Sequence, residues 1–343
     1  MKSNASLKEL AGFLKAAETI VIFTHTNPDG DALGSAAALC RVLRKMGKTS
    51  WILLDDEVPD YISFMDTEFC TRDKNIVKNH DISICVDCGE YSRFPALADK
   101  FDEGKLKLCV DHHATGDGFG DHYYIDPDEA ATCQLIYKLI KELEAVAKEC
   151  EQIGNEGDNT AIGSLIDRTV AESLYTGINT DTGSFQYSNT TADTHAIAAE
   201  LMSCGVDHTA INVKLYQTIP MVKLKIQSSI LQRAELLFGG QVAVGYVTGE
   251  MLDEAGAVLD DAEGTIDMLR NIEGVEIAAF LKEKGDAVKV SMRAKSFANV
   301  AEIVSAFGGG GHVKAAGCTL EMGMDEALDK LKQEISKYWE NLK

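Results

Sequence analysis

"TIVIFTHTNPDGDALGSAAALCRVLRKM", residues 19–46, passes from an apolar, β-forming run through a polar loop into a helical pattern. Seven positions of that loop hold His25, Asp29 and Asp31. Carboxylates that close repel one another unless something positive sits among them: a helix N-terminus, a basic side chain or a metal ion. Three readings compete. Asn27-Pro28-Asp29-Gly30 suits a turn and Asp31 suits the cap of the following helix, which explains the aspartates but not His25. A calcium loop of the EF-hand type needs Gly at 32 and an acid at 38, where this chain has Ala32 and Ala38. A phosphate-cradling loop needs GxGxxG, or GxxxxGK followed by Ser or Thr, and neither is present. A metal loop accounts for all three residues.

Outward from this stretch the first half alternates strand-like and helix-like segments. "SWILLD", "ISICVD" and "KLKLCVD" follow "TIVIFTH" as strands, and "DHYYID" reads as a short edge strand. Strands separated by helices and apolar on both faces predict a parallel sheet covered by helices, an α/β fold. Three of these strands end in His25, Asp87 and Asp111, and ligands of open α/β sheets bind beyond the carboxyl ends of the strands. "VDHHATGDGFGD" adds His112 and His113, and "LYTGINTDTGSFQYSNTT" places Asp181 in a Gly- and Thr-rich loop after a helix. As a set, these imidazoles and carboxylates on separate elements fit a metal site better than unrelated caps.

Helical patterns run from Ala130 to about Glu151 and from Asn159 to Gly177, with "IGNEGDN" as a polar turn between them. Residues 194–237 read as further helices. The apolar 211–238 segment suits either packing within one chain or the contact of a homodimer. "GGQVAVGYVTGE" then opens a second set of strands, and the Gly-Asp between "GVEIAAFLKEK" and "DAVKVSMRAKS" predicts an antiparallel hairpin. The expected division is a catalytic domain over 1–190, a helical linker over 191–238 and a smaller mixed-sheet α/β domain over 239–343.

Bulk properties narrow the function. The chain has 343 residues, enough for two domains, and a formal net charge of −21. That charge opposes binding to long nucleic acid, which rests on phosphate neutralisation, but leaves small anions open if a local field is reversed. Lys8, Glu9, Lys15 and Glu18 interrupt the apolar stretches of the N-terminus, so no signal peptide or membrane anchor is expected. Nine scattered cysteines read as reduced thiols of a cytoplasmic protein, and Cys85 and Cys88 as small buried thiols rather than a zinc or redox pair.

"HTNPDGD", "VDCG", "DHH" and "TGINTDTGSF", in that order, resemble the four motifs of the DHH phosphoesterases, and "RAKSFANVAEIVSAFGGGGHVKAAG" resembles their DHH-associated C-terminal domain. The layout is similar to the oligoribonuclease and 3′-phosphoadenosine 5′-phosphate phosphatase group of that family, which has two α/β domains flanking a cleft. The resemblance implies two metal ions, one held by His25, Asp29 and Asp87, the other by Asp31, Asp87, His112 and Asp181. Such a pair activates water for in-line displacement at phosphorus, so no protein nucleophile is needed. Imidazole with carboxylate suits Mn²⁺ better than Mg²⁺, though Mg²⁺ or another divalent cation also fits.

Asp87 would be shared by both ions. Asp111 would orient a neighbouring histidine, and His113 would donate to a phosphate or departing oxygen. In the second domain "GGGGH", followed by a helix-compatible "VKAA", suggests an anion nest of Gly309, Gly310 and Gly311, with His312 and Arg293 reaching the same anion. Close backbone packing is the other reading of those glycines. Lys295 and Lys314 are secondary candidates. Gln186 departs from the pattern, standing where the family often carries a basic residue.

The implied activity is a Mn²⁺-dependent phosphodiesterase that trims short RNA to nucleoside monophosphates, with 3′-phosphoadenosine 5′-phosphate as a further substrate. A rival keeps the chemistry and takes pApA or cyclic di-AMP. Inorganic pyrophosphatases share the metal motifs but not the "GGGGH" signature. A non-catalytic nucleotide sensor is the rival of another class, although every ligand position holds a competent ligand.

Overall fold

Alternating strands and helices build a six-stranded, all-parallel sheet in the first part of the computed structural model, which describes residues 3–65, 68–76, 78–114, 116, 118–151 and 164–342. The chain divides into two units, Met1–Thr218 and Ile219–Lys343. In the first unit, helix α1 (Leu7–Ala16) starts at a capping box of Ser6 and Glu9 and leads into β1 (Thr19–Phe23). Then come α2 (Gly30–Lys45), β2 (Thr49–Leu53), a 3₁₀ turn at Asp60–Met65 and the two-residue β3 (Cys70–Thr71). β4 (Ile82–Val86), α3 (Ala98–Asp102), β5 (Leu106–Asp111) and β6 (His122–Ile125) complete the sheet, whose order is β3-β2-β1-β4-β5-β6. The expected edge strand at "DHYYID" is β6, and all five residues of β4 are buried, as its unbroken apolar run predicts.

Helices α4 (Thr132–Glu151), α5 (Arg168–Asp181), α6 (Ala192–Ser203) and α7 (His208–Tyr216) follow. The core joins Leu33, Leu39 and Leu43 of α2 to Leu135 and Leu139 of α4 and Leu174 and Ile178 of α5. The helix read from 159 begins at Arg168 instead, because Asp167 takes a non-helical conformation and caps it by accepting from Val170 N. The "IGNEGDN" turn and the reading over 159–163 lie outside the described residues.

The second unit begins with α8 (Met221–Arg233), inside the segment read as a linker, whereas α6 and α7 belong to the first unit. Residues 235–237, read as helix, are instead the edge strand β7 (Glu235–Leu237), which pairs antiparallel with β8 (Val242–Val247). The remaining elements are α9 (Gly249–Ala255), α10 (Thr265–Asn271), β9 (Ile277–Lys284), β10 (Ala287–Ala294), α11 (Val300–Ser305), β11 (Gly310–His312), β12 (Ala315–Leu320) and α12 (Met324–Asn341). The mixed sheet runs β11-β12-β10-β9-β8-β7, with β8 and β9 parallel. The predicted hairpin is β9–β10, turning at Gly285 with φ +64°. α12 lays Leu331, Ile335 and Trp339 on the core at helical spacing.

Candidate metal centre and its surroundings

Three neighbouring parallel strands, β1, β4 and β5, deliver His25, Asp87 and Asp111 to one rim of the first sheet. The loop after β1 supplies Asp29, which is the N-cap of α2. Its Oδ1 accepts from Asp31 N and Ala32 N, both at 3.1 Å. The cap is therefore Asp29, and Asp31 does a different job. Lying in the first turn of α2, Asp31 accepts from Thr132 N at 2.6 Å and Cys133 N at 2.8 Å, the first amides of α4. Its negative charge thus sits on the positive end of a helix dipole. Asp181 is the last residue of α5 rather than part of a loop, because the helix continues four residues past Gly177.

Close helix crossing makes this convergence possible. A Cβ on Gly34 would lie 2.6 Å from Ser173 O, and one on Gly177 would lie 2.8 Å from Asp31 Oδ1. Only glycine lets α2, α4 and α5 approach this closely.

The imidazoles are held by their Nδ1 edges. His25 Nδ1 donates to Thr26 O at 2.8 Å, and His112 Nδ1 to Glu129 O at 3.1 Å. Each Nε2 then faces carboxylates. His25 Nε2 lies 3.9 Å from Asp29 Oδ2 and 3.6 Å from Asp87 Oδ2. His112 Nε2 lies 3.9 Å from Asp31 Oδ2, 3.7 Å from Asp87 Oδ1 and 3.1 Å from Asp181 Oδ2. Two sets, His25-Asp29-Asp87 and Asp31-His112-Asp181, each keep their ligating atoms within 4.8 Å of one another. Asp87 Oδ1 also accepts from the Thr132 hydroxyl at 2.9 Å, and Asp87 adopts a left-handed φ of +58°. A third set of Asp87, His112 and His113 is similarly close, but His113 Nδ1 donates to Asp111 Oδ1 at 2.7 Å. That bond turns the other ring edge of His113 outward.

Electrostatically the cluster is unbalanced as a bare set of side chains. Burial, then the charge of Asp181, pushes Asp31 up to about 7. Burial and the charges of Asp31, Asp29 and Asp181 drive Asp87 well above the carboxylate range. Burial works to lower His112, yet Asp181 and the surrounding acids outweigh it and raise that imidazole to about 9. His25 is held below its ordinary value, chiefly by burial. Lone pairs and anions pointed at one another across 3–4 Å ask for protons or cations between them. Imidazole Nε2 and carboxylate oxygen are together the donor set of a divalent transition metal, so the residues fit such a group.

The second unit places its candidates differently from the expectation. "VKAA" is not helical: Val313 and Lys314 are a turn between β11 and β12, because β12 is recruited as partner of β10. Gly309 is packed so that a Cβ would lie 2.5 Å from Gly317 O, and Gly311 has φ +141°, so close packing of the backbone governs both. Arg293, Gly309, Gly310 and Gly311 nevertheless line one groove of about 640 Å³ with Lys289, while His312 is exposed on β11. Lys314 Nζ donates to the carbonyls of Ser296 and Ala298, and Lys295 Nζ to Ile272 O at 3.3 Å. Both lysines therefore fasten a loop.

Sequence reading missed the amides of Thr132 and Cys133, the Thr132 hydroxyl and the carbonyls of Thr26 and Glu129. The available signal was "AATCQ" after the edge strand, where a new helix opens at the strand-end rim.

Comparison with known proteins gives the family. Residues 19–178 match the DHH family, N-terminal domain, and residues 239–341 match the DHHA1 domain. The bifunctional oligoribonuclease and PAP phosphatase NrnA of Thermus thermophilus is 31% identical over 333 residues, spanning 96% of this chain and 93% of that protein. Its namesake from Bacillus subtilis is 26% identical over 319 residues, spanning 93% and 94%. A solved exopolyphosphatase-related protein from Bacteroides fragilis superposes with a TM-score of 0.86 at 25% identity, over 97% of this chain and 96% of that one. Strand-end acids and imidazoles, a following mixed-sheet unit and these matches agree: the chain belongs to the DHH family and is a phosphoesterase with a DHHA1 domain.

Proposed function

We propose that this protein is a divalent-cation-dependent phosphodiesterase that releases nucleoside monophosphates from very short oligoribonucleotides, with 3′-phosphoadenosine 5′-phosphate as a second substrate. The observation that carries the reading is the pair of Nε2 atoms, on His25 and His112, aimed at four carboxylates. The names of the relatives support the substrate class. His25, Asp29 and Asp87 hold one cation and Asp31, Asp87, His112 and Asp181 the other, with Mn²⁺ favoured by the imidazole content. Bound there, the cations supply an acidified water and positive charge beside phosphorus.

The protein's own groups do the rest. Thr132 and the first amides of α4 fix the Asp31 and Asp87 carboxylates, and Thr26 and Glu129 fix the rings. Asp111 holds His113 by Nδ1, which leaves the Nε2 edge to meet a phosphate or departing oxygen. In the second unit, Arg293, Gly309, Gly310, Gly311 and His312 grip a terminal phosphate, Arg293 bidentately.

The test is incubation of the purified protein with Mn²⁺ and labelled pApA, alongside cyclic di-AMP and 3′-phosphoadenosine 5′-phosphate. Release of AMP from pApA and of 3′-phosphate from the bisphosphate is expected. No monophosphate from pApA at any metal concentration contradicts the reading, and nucleotide binding without turnover means a sensor instead.

A further inference from the structure

Alternation along β10 divides its side chains between the two faces of the second sheet. Val288, Val290 and Met292 are buried in the core with Leu331 and Ile335 of α12, so Lys289, Ser291 and Arg293 stand on the other face. β12 does the same, burying Ala316, Cys318 and Leu320 and leaving Ala315, Gly317 and Thr319 beside them. The antiparallel register sets Lys289 against Thr319, Ser291 against Gly317 and Arg293 against Ala315. Over β8 and β9 this face is covered: Ala243, Val247, Ala278 and Phe280 pack with Ile226 and Ile230 of α8 and Ile266 and Leu269 of α10. Over β10 and β12 it lies open as the groove of about 640 Å³.

The open face suits anions. Its lining holds two cations and no carboxylate, although acidic residues outnumber basic ones 54 to 33 in the chain. Lys282, which faces Lys289 across the β9–β10 pair, is buried and held in an ion pair with Glu263. The side chains of Lys289, Ser291 and Thr319 make no hydrogen bond or ion pair with any described residue. Among the described residues the Arg293 guanidinium donates only to Met292 O, at 3.1 Å. One exposed lysine is ordinarily a solvated group. A lysine, two hydroxyls and an arginine lining one recess without acids instead make a local positive field.

Spacing decides what that field takes. Four residues of antiparallel strand span about 13 Å, so a phosphate gripped bidentately at Arg293 leaves Lys289 for a second group. We propose that the groove reads two phosphates of one strand. Arg293 with Gly309, Gly310 and Gly311 takes the terminal phosphate, and Lys289 with the Ser291 and Thr319 hydroxyls takes the phosphodiester next to it. The inference deepens the proposed function and rests on it for the occupant, a short oligoribonucleotide. It makes strand length, counted in phosphates, the property that Lys289 selects.

Binding to the metal-free full chain provides the test, because no turnover then intervenes. Dissociation constants of AMP, ADP and pApA are measured by calorimetry. ADP carries the same formal charge as pApA, but its two phosphates share an oxygen and cannot span from Arg293 to Lys289. The wild type is expected to bind pApA at least about tenfold more tightly than AMP or ADP, the strength of one hydrogen bond between charged groups. Lys289→Ala should shrink that preference to about threefold or less, and Lys289→Arg should keep it. Lys330→Ala, which removes the same charge from α12 on the opposite face, should leave it intact. Equal affinity for the three ligands, ADP bound as tightly as pApA, or no binding of pApA would each overturn the assignment. So would a Lys289→Ala variant that keeps the full preference or a Lys330→Ala variant that loses it. The two-phosphate preference without any hydrolysis of pApA under Mn²⁺ would instead sustain the groove and refute the phosphodiesterase reading alone.

Discussion

Single residues in the metal cluster trade stability for chemistry. Asp87 is buried among four other acids and accepts from the Thr132 hydroxyl. Asp87→Asn removes a buried like-charge repulsion, so in chelator at pH 8 its melting temperature should equal or exceed that of the wild type. Its turnover should fall by more than about 100-fold, since even partners one step removed from a metal cost 10–100-fold. Thermal melts and pApA hydrolysis on one preparation check both halves. The same groups set a pH dependence. Asp31 at about 7 and His112 at about 9 lie above their unfolded values, so the folded state binds more protons. Their stabilisation is full below the unfolded values and is lost as pH rises, through 7 for Asp31 and 9 for His112. His25, held low, acts in the opposite sense only below about pH 6.5. Denaturant melts of the metal-free protein should therefore weaken from pH 7 to 9. A flat or rising profile contradicts the assignment.

Elements bring those residues together, and here glycine contacts decide. Gly177→Ala drives a methyl toward Asp31 and Cys133 and should cost about 1–3 kcal/mol, with loss of activity, by chemical denaturation and turnover. In the second unit the buried Glu276 carboxylate accepts from Ser296 N, Phe297 N and Ala298 N at 2.7–3.1 Å and so shapes the loop after β10, which carries Arg293. Burial opposes its ionisation but these bonds prevail and lower its pKa, so its stabilisation is lost as pH falls through the folded value. Glu276→Ala should cost about 2–3 kcal/mol and raise KM for pApA while leaving kcat nearly unchanged. Strand ends at His25, Asp87 and Asp111 were legible because period and polarity reveal both the parallel sheet and its carboxyl rim. What escaped was non-local. No pattern shows that Asp31 of α2 meets the amides of α4, 101 residues away. "VKAA" looked helical because propensity is a weak prior beside the pull of β10 on a neighbouring strand.

Across the whole molecule, a net charge of −21 coexists with a proposed anionic substrate. The proposed cations at the strand-end rim and the Lys289–Arg293 groove would reverse the field only locally, so long RNA should compete poorly with dinucleotides in hydrolysis assays. Because the proposed ligands are far apart in sequence, a metal held by them would bind the folded chain and not the unfolded one. Mn²⁺ at about 100 times its dissociation constant should stabilise by about 2.7 kcal/mol, read as a rise in melting temperature that chelator reverses. Titrating chelator-treated protein with Mn²⁺, while counting bound metal and following AMP release from pApA in the same samples, tests the central claim. Two ions per chain, with turnover rising as the second site fills and neither seen in Asp87→Asn, is the predicted result. Undiminished hydrolysis in chelator, or no metal retained by the wild type, would contradict it.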